Sequence, residues 1–416
     1  MKKQQIATTG GTTRRKAIGA VLVSAIALAS CSRSAASQPQ SSQPADSAAA
    51  QTSMQGLAPP AGDALFVDIR EFQVPTEGAL PHDPAVGPDG MLWVTEEKAN
   101  KLARFDLATE SFREYTLKTP DSGPHGLTVD SAGDVWFTAN AKGYIGKLHP
   151  ASGAVTEYRM PDPRVTDPHT PVLAHDRVLW FTAEESNFVG KLDTKTGHIR
   201  LKELPTSRAL PYGAVIGKDG ALYVCEFGTN KIARIEPSSM AIQEYPLPDG
   251  ARPRRVALAP DGTLYYSDYA RGKLGHFLPG TARSEEWQSP GGPNAKPYGI
   301  AVTPDGRVWY SESGVQPNTL VRFDPESRQF AQAPIPSGER TSPNDAIVRN
   351  IAATPDGRIY LACSGTNRVA VAVPRDHPPA WSQTSPRSTD QQAQPSDSAH
   401  KLPSFPPELP PRPVPR

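Results

Sequence analysis

Between residues 65 and 374 the chain repeats one hydrophobic pattern. An alternating apolar run leads into a polar turn, most often Asp-Gly, and a second apolar run built around Trp or Tyr follows, as in "GIAVTPDGRVWYSE". Period-two alternation sends successive side chains to opposite faces of a half-buried strand, and Asp-Gly between two such runs is a tight-turn signal. Two further alternating runs follow each hairpin, for example "NKIARIEP" and "AIQEYPLP". Each unit is predicted to be four short strands; the period is that of strands and not of helices.

The unit recurs at a near-constant interval. Pro81, Pro124, Pro168, Pro211, Pro253 and Pro297 open successive units at spacings of 43, 44, 43, 42 and 44, and a seventh opens at Val348 after a gap of 51. One four-stranded sheet cannot bury both of its faces, but seven stacked around an axis can. The fold class is therefore all-β, a seven-bladed β-propeller of four-stranded blades. The seventh unit lacks a fourth strand, whereas "DIREFQVP", which precedes the first unit, resembles the fourth strands of the others. The N-terminal strand is expected to complete the last blade, closing the ring and leaving no unpaired edge.

Outside the repeats the pattern changes. Residues 1–31 carry a basic start, Arg14-Arg15, an apolar run over residues 17–29 too short to span a bilayer comfortably, and "LASC" ending at Cys31. This is a signal peptide of Tat or Sec type with a lipobox, and Cys31 is the expected lipidation site. Residues 32–60, rich in Ser, Ala, Gln and Pro, form a tether, and residues 375–416 a Pro-rich tail, both too poor in apolar residues to fold. The propeller is assigned to 61–374. A lipoprotein of the cell envelope is expected, facing the periplasm, at the outer membrane, and monomeric.

Charge and cysteine content narrow the chemistry. Lys plus Arg number 44 against 43 Asp plus Glu, a net charge of +1 with no basic block in the repeats, so nucleic acid is not an expected partner. Of three cysteines, Cys225 and Cys363 fall inside apolar strand runs and are expected to be buried free thiols.

"PYGIAVTPDGRVWYSE", "GTNKIARIEP" and "IQEYPLP" resemble the virginiamycin B lyase family, the streptogramin lyases, over nearly all of residues 65–374. The resemblance implies a propeller that opens a cyclic depsipeptide by elimination at its ester, with magnesium held by two acids, a histidine as acid/base, a second histidine from the preceding blade and a tyrosine from the following one. "GPHG", "DPHT" with "WFTAE", and "LPYG" hold those residue types in that order. It thus implies Asp167 and Glu184 as metal ligands, His169 as acid/base, and His125 and Tyr212 as proton-transfer or substrate partners. In the family this set lies in the last two blades and the first; here it lies in the second to fourth, so the site is rotated around the ring. Asp167 stands where the family has Glu, and His175-Asp176-Arg177 lengthens the hairpin by one residue. Aligned end to end, blade seven offers Ile347, Arg349 and Cys363 at the key positions.

The residues point to the same place independently. His169 begins one strand of an antiparallel hairpin and Glu184 follows the other, with Asp167 at the same end, so two carboxylates and an imidazole are expected at the channel mouth. Oxygen ligands suit magnesium, calcium or manganese. Such an ion would polarise an ester carbonyl while His169, titrating near neutrality, moves a proton. Glu96, Glu226, Asp268 and Glu312 recur three residues after the Trp or Tyr of their blades and mark a framework position, expected to hydrogen-bond a neighbouring blade. Pro-His and Pro-Tyr could equally be repeat spelling, and Arg254-Arg255 with Arg349 either a carboxylate-binding rim or ion-paired arginines. Three functions stay open: a lyase acting on a small ester or cyclic depsipeptide, a calcium-dependent lactonase, and a non-enzymatic module binding protein or glycan.

Overall fold

The computed structural model describes residues 63–174, 177–338 and 348–375. The signal segment with Cys31, the tether, the tail beyond Arg375, and His175, Asp176, Asn344, Asp345 and Ile347 lie outside the described residues. Seven antiparallel sheets run in chain order from inner to outer strand, as in blade one: Pro81–Val86, Leu92–Glu96, Lys101–Asp106 and Ser111–Thr116. Blade seven is Val348–Ala353, Ile359–Cys363 and Arg368–Pro374, completed by the N-terminal strand Val67–Gln73 paired antiparallel to Arg368–Pro374. The expected closure therefore holds, and Arg375 adds an ion pair to Asp68 across it. The repeat pattern does not announce one addition: Asp63–Ala64 pairs in parallel with Gln329–Pro334, a fifth strand on blade six.

The apolar faces pack between blades. Leu92, Val94, Ala103 and Phe105 of blade one meet Tyr360, Ala362, Val369 and Val371 of blade seven, and Trp93 and Leu102 meet Val135, Phe137 and Leu148 of blade two. Each blade buries both faces because it has two neighbours. Where the second and third strands pass closest over an aromatic ring, only glycine fits: a Cβ at Gly146 would stand 2.0 Å from the Phe137 ring. Cys225 and Cys363 are buried and unbridged, as the strand runs imply.

The framework acids are fully buried. Glu312 accepts hydrogen bonds from Ser289 Oγ and Gly291 N in the segment arriving from blade five, and Asp268 accepts one from Arg252 N in the segment arriving from blade four. Glu96 differs: among the described residues both of its buried oxygens lack a hydrogen-bond partner, and burial, then the charge of Glu114, pushes its pKa up from 4.5 to about 8. A carboxyl whose folded pKa is raised favours the fold fully below its unfolded pKa, and that favour is lost as pH rises through the folded one. Wild-type stability is therefore expected to fall between pH 4.5 and about 8. Glu96→Gln should make that slope shallower, leaving the part that Glu184 and Glu226 contribute, and raise the melting temperature in the alkaline range by roughly 2–4 °C per kcal/mol regained. Thermal unfolding at both ends of the window measures it; an unchanged slope in the variant rules the assignment out.

Candidate functional site at the channel mouth

Each inner hairpin of blades one to six pairs its opening proline in register and then slips before the third residue on, as between Pro168, opposite Ala183, and Pro171, opposite Phe181. Such a bulge re-aims the residues inside it. A hydroxyl fixes the bulge in three consecutive blades: Thr95, Thr138 and Thr182 accept the N–H of Asp83, Gly126 and Thr170. The same hydroxyls donate to the carbonyls of His125, His169 and Tyr212 in the next blade at 2.7, 2.7 and 2.9 Å. Gly126 lets blade three approach, because a Cβ there would lie 2.5 Å from the His169 carbonyl oxygen.

The residue after each opening position lines the channel, giving His82, His125, His169, Tyr212, Arg254, Tyr298 and Arg349 in blade order. Ring centroids are 3.8 Å apart for His82 and His125, 3.9 Å for His125 and His169, and 4.2 Å for His169 and Tyr212. The Tyr212 and Tyr298 hydroxyls are hydrogen-bonded at 2.7 Å, and Arg254 Nη2 donates to both. The Arg254 guanidinium lies 3.8–5.0 Å from the ring centres of Tyr298, Tyr269, Tyr212 and Phe227, so it is held by cation–π contact.

His125, His169 and Tyr212 are thus brought together, and Glu184 joins them: its Oε2 is 3.4 Å from His169 Nε2. His169 Nδ1 is 3.0 Å from the Thr170 hydroxyl. Burial foremost, then His125, Arg255, His82 and Arg254, pushes His169 well below the usual histidine range. It is a neutral imidazole at pH 7, which corrects the expectation that it titrates near neutrality. The titrating group is Glu184, raised from 4.5 to about 7, chiefly by burial. Tyr212 is pushed far above its ordinary value, first by burial and then by Tyr298, and stays protonated.

Asp167 is bound to the turn beside Glu184, near enough for its charge to help raise the Glu184 pKa. Its carboxylate accepts the N–H groups of Glu185 and Ser186 and the Ser186 hydroxyl, capping the turn after the strand Val178–Ala183. An Asp placed before the proline is short enough to reach this backbone. Among the described residues, the group of three whose ligand atoms lie within 4.8 Å of one another is His82, Asp83 and His125 instead. Asp83 is already engaged: Arg255 crosses from blade five and places Nη1 and Nη2 at 3.1 and 2.8 Å from its oxygens. His82 Nδ1 is 3.0 Å from the same carboxylate. The guanidinium supplies the positive charge a divalent ion would bring there; around Glu184 the charges are mixed, Arg254 and Arg255 opposing a cation, Glu185 and Asp167 favouring one. The trio of His82, Asp83 and His125 therefore does not fit the magnesium that the resemblance implies, and Asp167 and Glu184 are the acids that would hold it.

Asp83 and Arg255 are the functional-site residues that repeat reading underweights. Their signal is present: Gly126, Gly213 and Gly299 occupy the same position in blades two, four and six. Charge in place of glycine, facing the axis, calls for a partner across it. Glu97, at the offset of Glu184, lies 3.9 Å from His82 Nε2 and repeats the carboxyl–imidazole motif in weaker form.

The profile of the virginiamycin B lyase family matches residues 67–323, more than half of the chain. A streptogramin B lyase structure superposes with a TM-score of 0.67 at 27% identity, covering 74% of this chain and 98% of that one. The virginiamycin B lyase of Staphylococcus aureus gives 0.66 at 26%, covering 74% and 99%. A catalytically inactive variant of the latter, crystallised with quinupristin, gives 0.66 at 25%, with the same coverage. No curated protein matches the chain. A seven-bladed propeller with these repeats, matched by that profile and superposed end to end on those lyases, makes this chain a member of the virginiamycin B lyase family.

Proposed function

We propose that the protein is a carbon–oxygen lyase that opens an ester in a small cyclic substrate by elimination, using the Glu184–His169 pair. The observation that carries this is the 3.4 Å contact between the two side chains, with Glu184 poised at about 7. A group with a pKa near the working pH is both a competent base and available in its basic form. Glu184 is the more exposed member of the pair and meets the substrate first.

In this reading the Glu184 carboxylate takes the proton from a carbon adjacent to the ester-bearing carbon. The freed electron pair forms the carbon–carbon double bond as the carbon–oxygen bond breaks. The acyl group leaves as a carboxylate, and no water is consumed. His169, neutral and anchored on Thr170, positions the Glu184 carboxyl through Nε2. Tyr212, held protonated, orients the substrate, and the Arg254 charge favours the departing carboxylate. The bridge between Arg255 and Asp83 crosses the channel and directs entry to the Glu184 face. Cyclic depsipeptides are the first substrates to try, because a relative was crystallised with quinupristin.

The test is product mass. Elimination leaves the mass of a ring-opened depsipeptide or lactone unchanged; gain of one water establishes a hydrolase and overturns the proposal. Export and anchoring through Cys31 belong to the same proposal and rest on the N-terminal pattern. Membrane fractionation should find wild type in the envelope and Cys31→Ala released, and a soluble wild-type protein would refute the anchor.

A further inference from the structure

Arg349 differs from the other two ring arginines. Arg255 is paired with Asp83, and Arg254 donates to two tyrosine hydroxyls. Among the described residues Arg349 makes no ion pair, and its buried Nε has no acceptor. It lines a cavity of about 530 Å³ at the junction of blades one and seven, together with Leu80, Lys98, Ser364, Gly365 and Thr366. Lys98 is exposed and likewise without an ion pair among the described residues. The neighbouring acids are committed elsewhere: Glu97 faces His82, and Glu71 takes the Ser337 hydroxyl and Arg368. The cavity adjoins the channel mouth, since Leu80 leads into Pro81 and His82, and the Arg349 charge helps to depress His125.

We propose that this cavity is an oxyanion subsite, in which Arg349 and Lys98 hold a carboxylate or phosphate group of a small molecule. A guanidinium presents paired donors to two oxygens at once, and an ammonium beside it adds a point charge. The volume is that of a small-ligand pocket. Resting on the lyase reading of the adjacent funnel, the subsite names a substrate class: an ester that carries an anionic group away from the bond that breaks. Blade seven, where end-to-end alignment puts the family's reactive set, then serves binding while blade three serves chemistry.

Calorimetry of the full chain at low ionic strength, with succinate and inorganic phosphate as probes, tests the subsite. One-to-one binding of at least one probe is expected, and the stronger of the two tells which oxyanion the site takes. Arg349→Met should weaken that probe by roughly tenfold or more, the loss of a charge-assisted contact. Lys98→Met, a surface change that spares the fold, should weaken it less but measurably. Glu184→Gln should bind the anion as wild type does, and a wild-type protein that binds the anion yet eliminates no ester would fault the lyase reading alone. Anion binding absent from wild type, or unaltered in Arg349→Met and Lys98→Met, overturns the subsite whatever the activity. If Arg349→Met does not fold, the Lys98→Met result decides in the same way.

Discussion

Glu184→Gln is expected to slow elimination by roughly 10²–10⁴-fold, the usual contribution of a positioned acid or base. Gln keeps the length of the side chain and can still hydrogen-bond His169 Nε2, so the melting temperature should hardly move. The pH profile separates a chemical role from a structural one. Glu184 is raised to about 7, so the reactive carboxylate is scarce in acid, half formed near pH 7, and complete above it. The wild-type rate should rise with pH through that range and then level. His169 adds no further limb there, because burial holds it neutral throughout. The residual rate of Glu184→Gln should show no such rise. A variant that keeps both the rate and the profile would remove Glu184 from the chemistry.

Asp83→Asn is expected to cost about 3–5 kcal/mol of stability, the usual result of taking one partner from a buried ion pair. Both side chains are nearly inaccessible, at 6% for Arg255 and 5% for Asp83, so the guanidinium would be left with no countercharge and no water. Asp83 itself is held well below the usual carboxylate range; burial opposes this, and Arg255 and His82 overcome it. Arg255→Met should behave differently, because His82 still contacts Asp83 and the freed carboxylate joins His82 and His125 within 4.8 Å. Two imidazoles and a carboxylate suit cobalt or zinc. Co²⁺ titration followed by visible absorbance should show binding in Arg255→Met and none at this trio in wild type. Equal Co²⁺ spectra in the two proteins would mean that Arg255 does not take the place of an ion.

Much of the site is legible in the sequence, for a geometric reason. In a repeat protein each residue inherits its place from its offset within the unit. His125, His169 and Tyr212 share one offset, so a closed ring must bring them side by side, and the centroid separations of 3.9 and 4.2 Å follow. Glu184 was placed by hairpin pairing, since the two ends of an antiparallel hairpin are neighbours. The blade count, the four antiparallel strands of each blade and the closure by Val67–Gln73 come from the same periodicity, and the added strand Asp63–Ala64 does not. Each is a property of spacing, and spacing is written in the chain.

The tertiary structure alone decided whatever depends on direction, burial or crossing the axis. Asp167 sits at the right offset, yet two N–H groups and a hydroxyl of the next turn take up its carboxylate, and Glu184 is the acid in contact with His169. The group of the pair that titrates near neutrality is Glu184 and not His169, because burial disfavours a charge on both, and on His169 the neighbouring imidazoles and arginines add to it. Arg255 and Asp83 are 172 residues apart, and only ring closure sets them face to face. Periodicity fixes where a side chain starts. Solvation and the competition among neighbouring donors and charges, which exist only once the ring has closed, decide where it ends and whether it carries a proton.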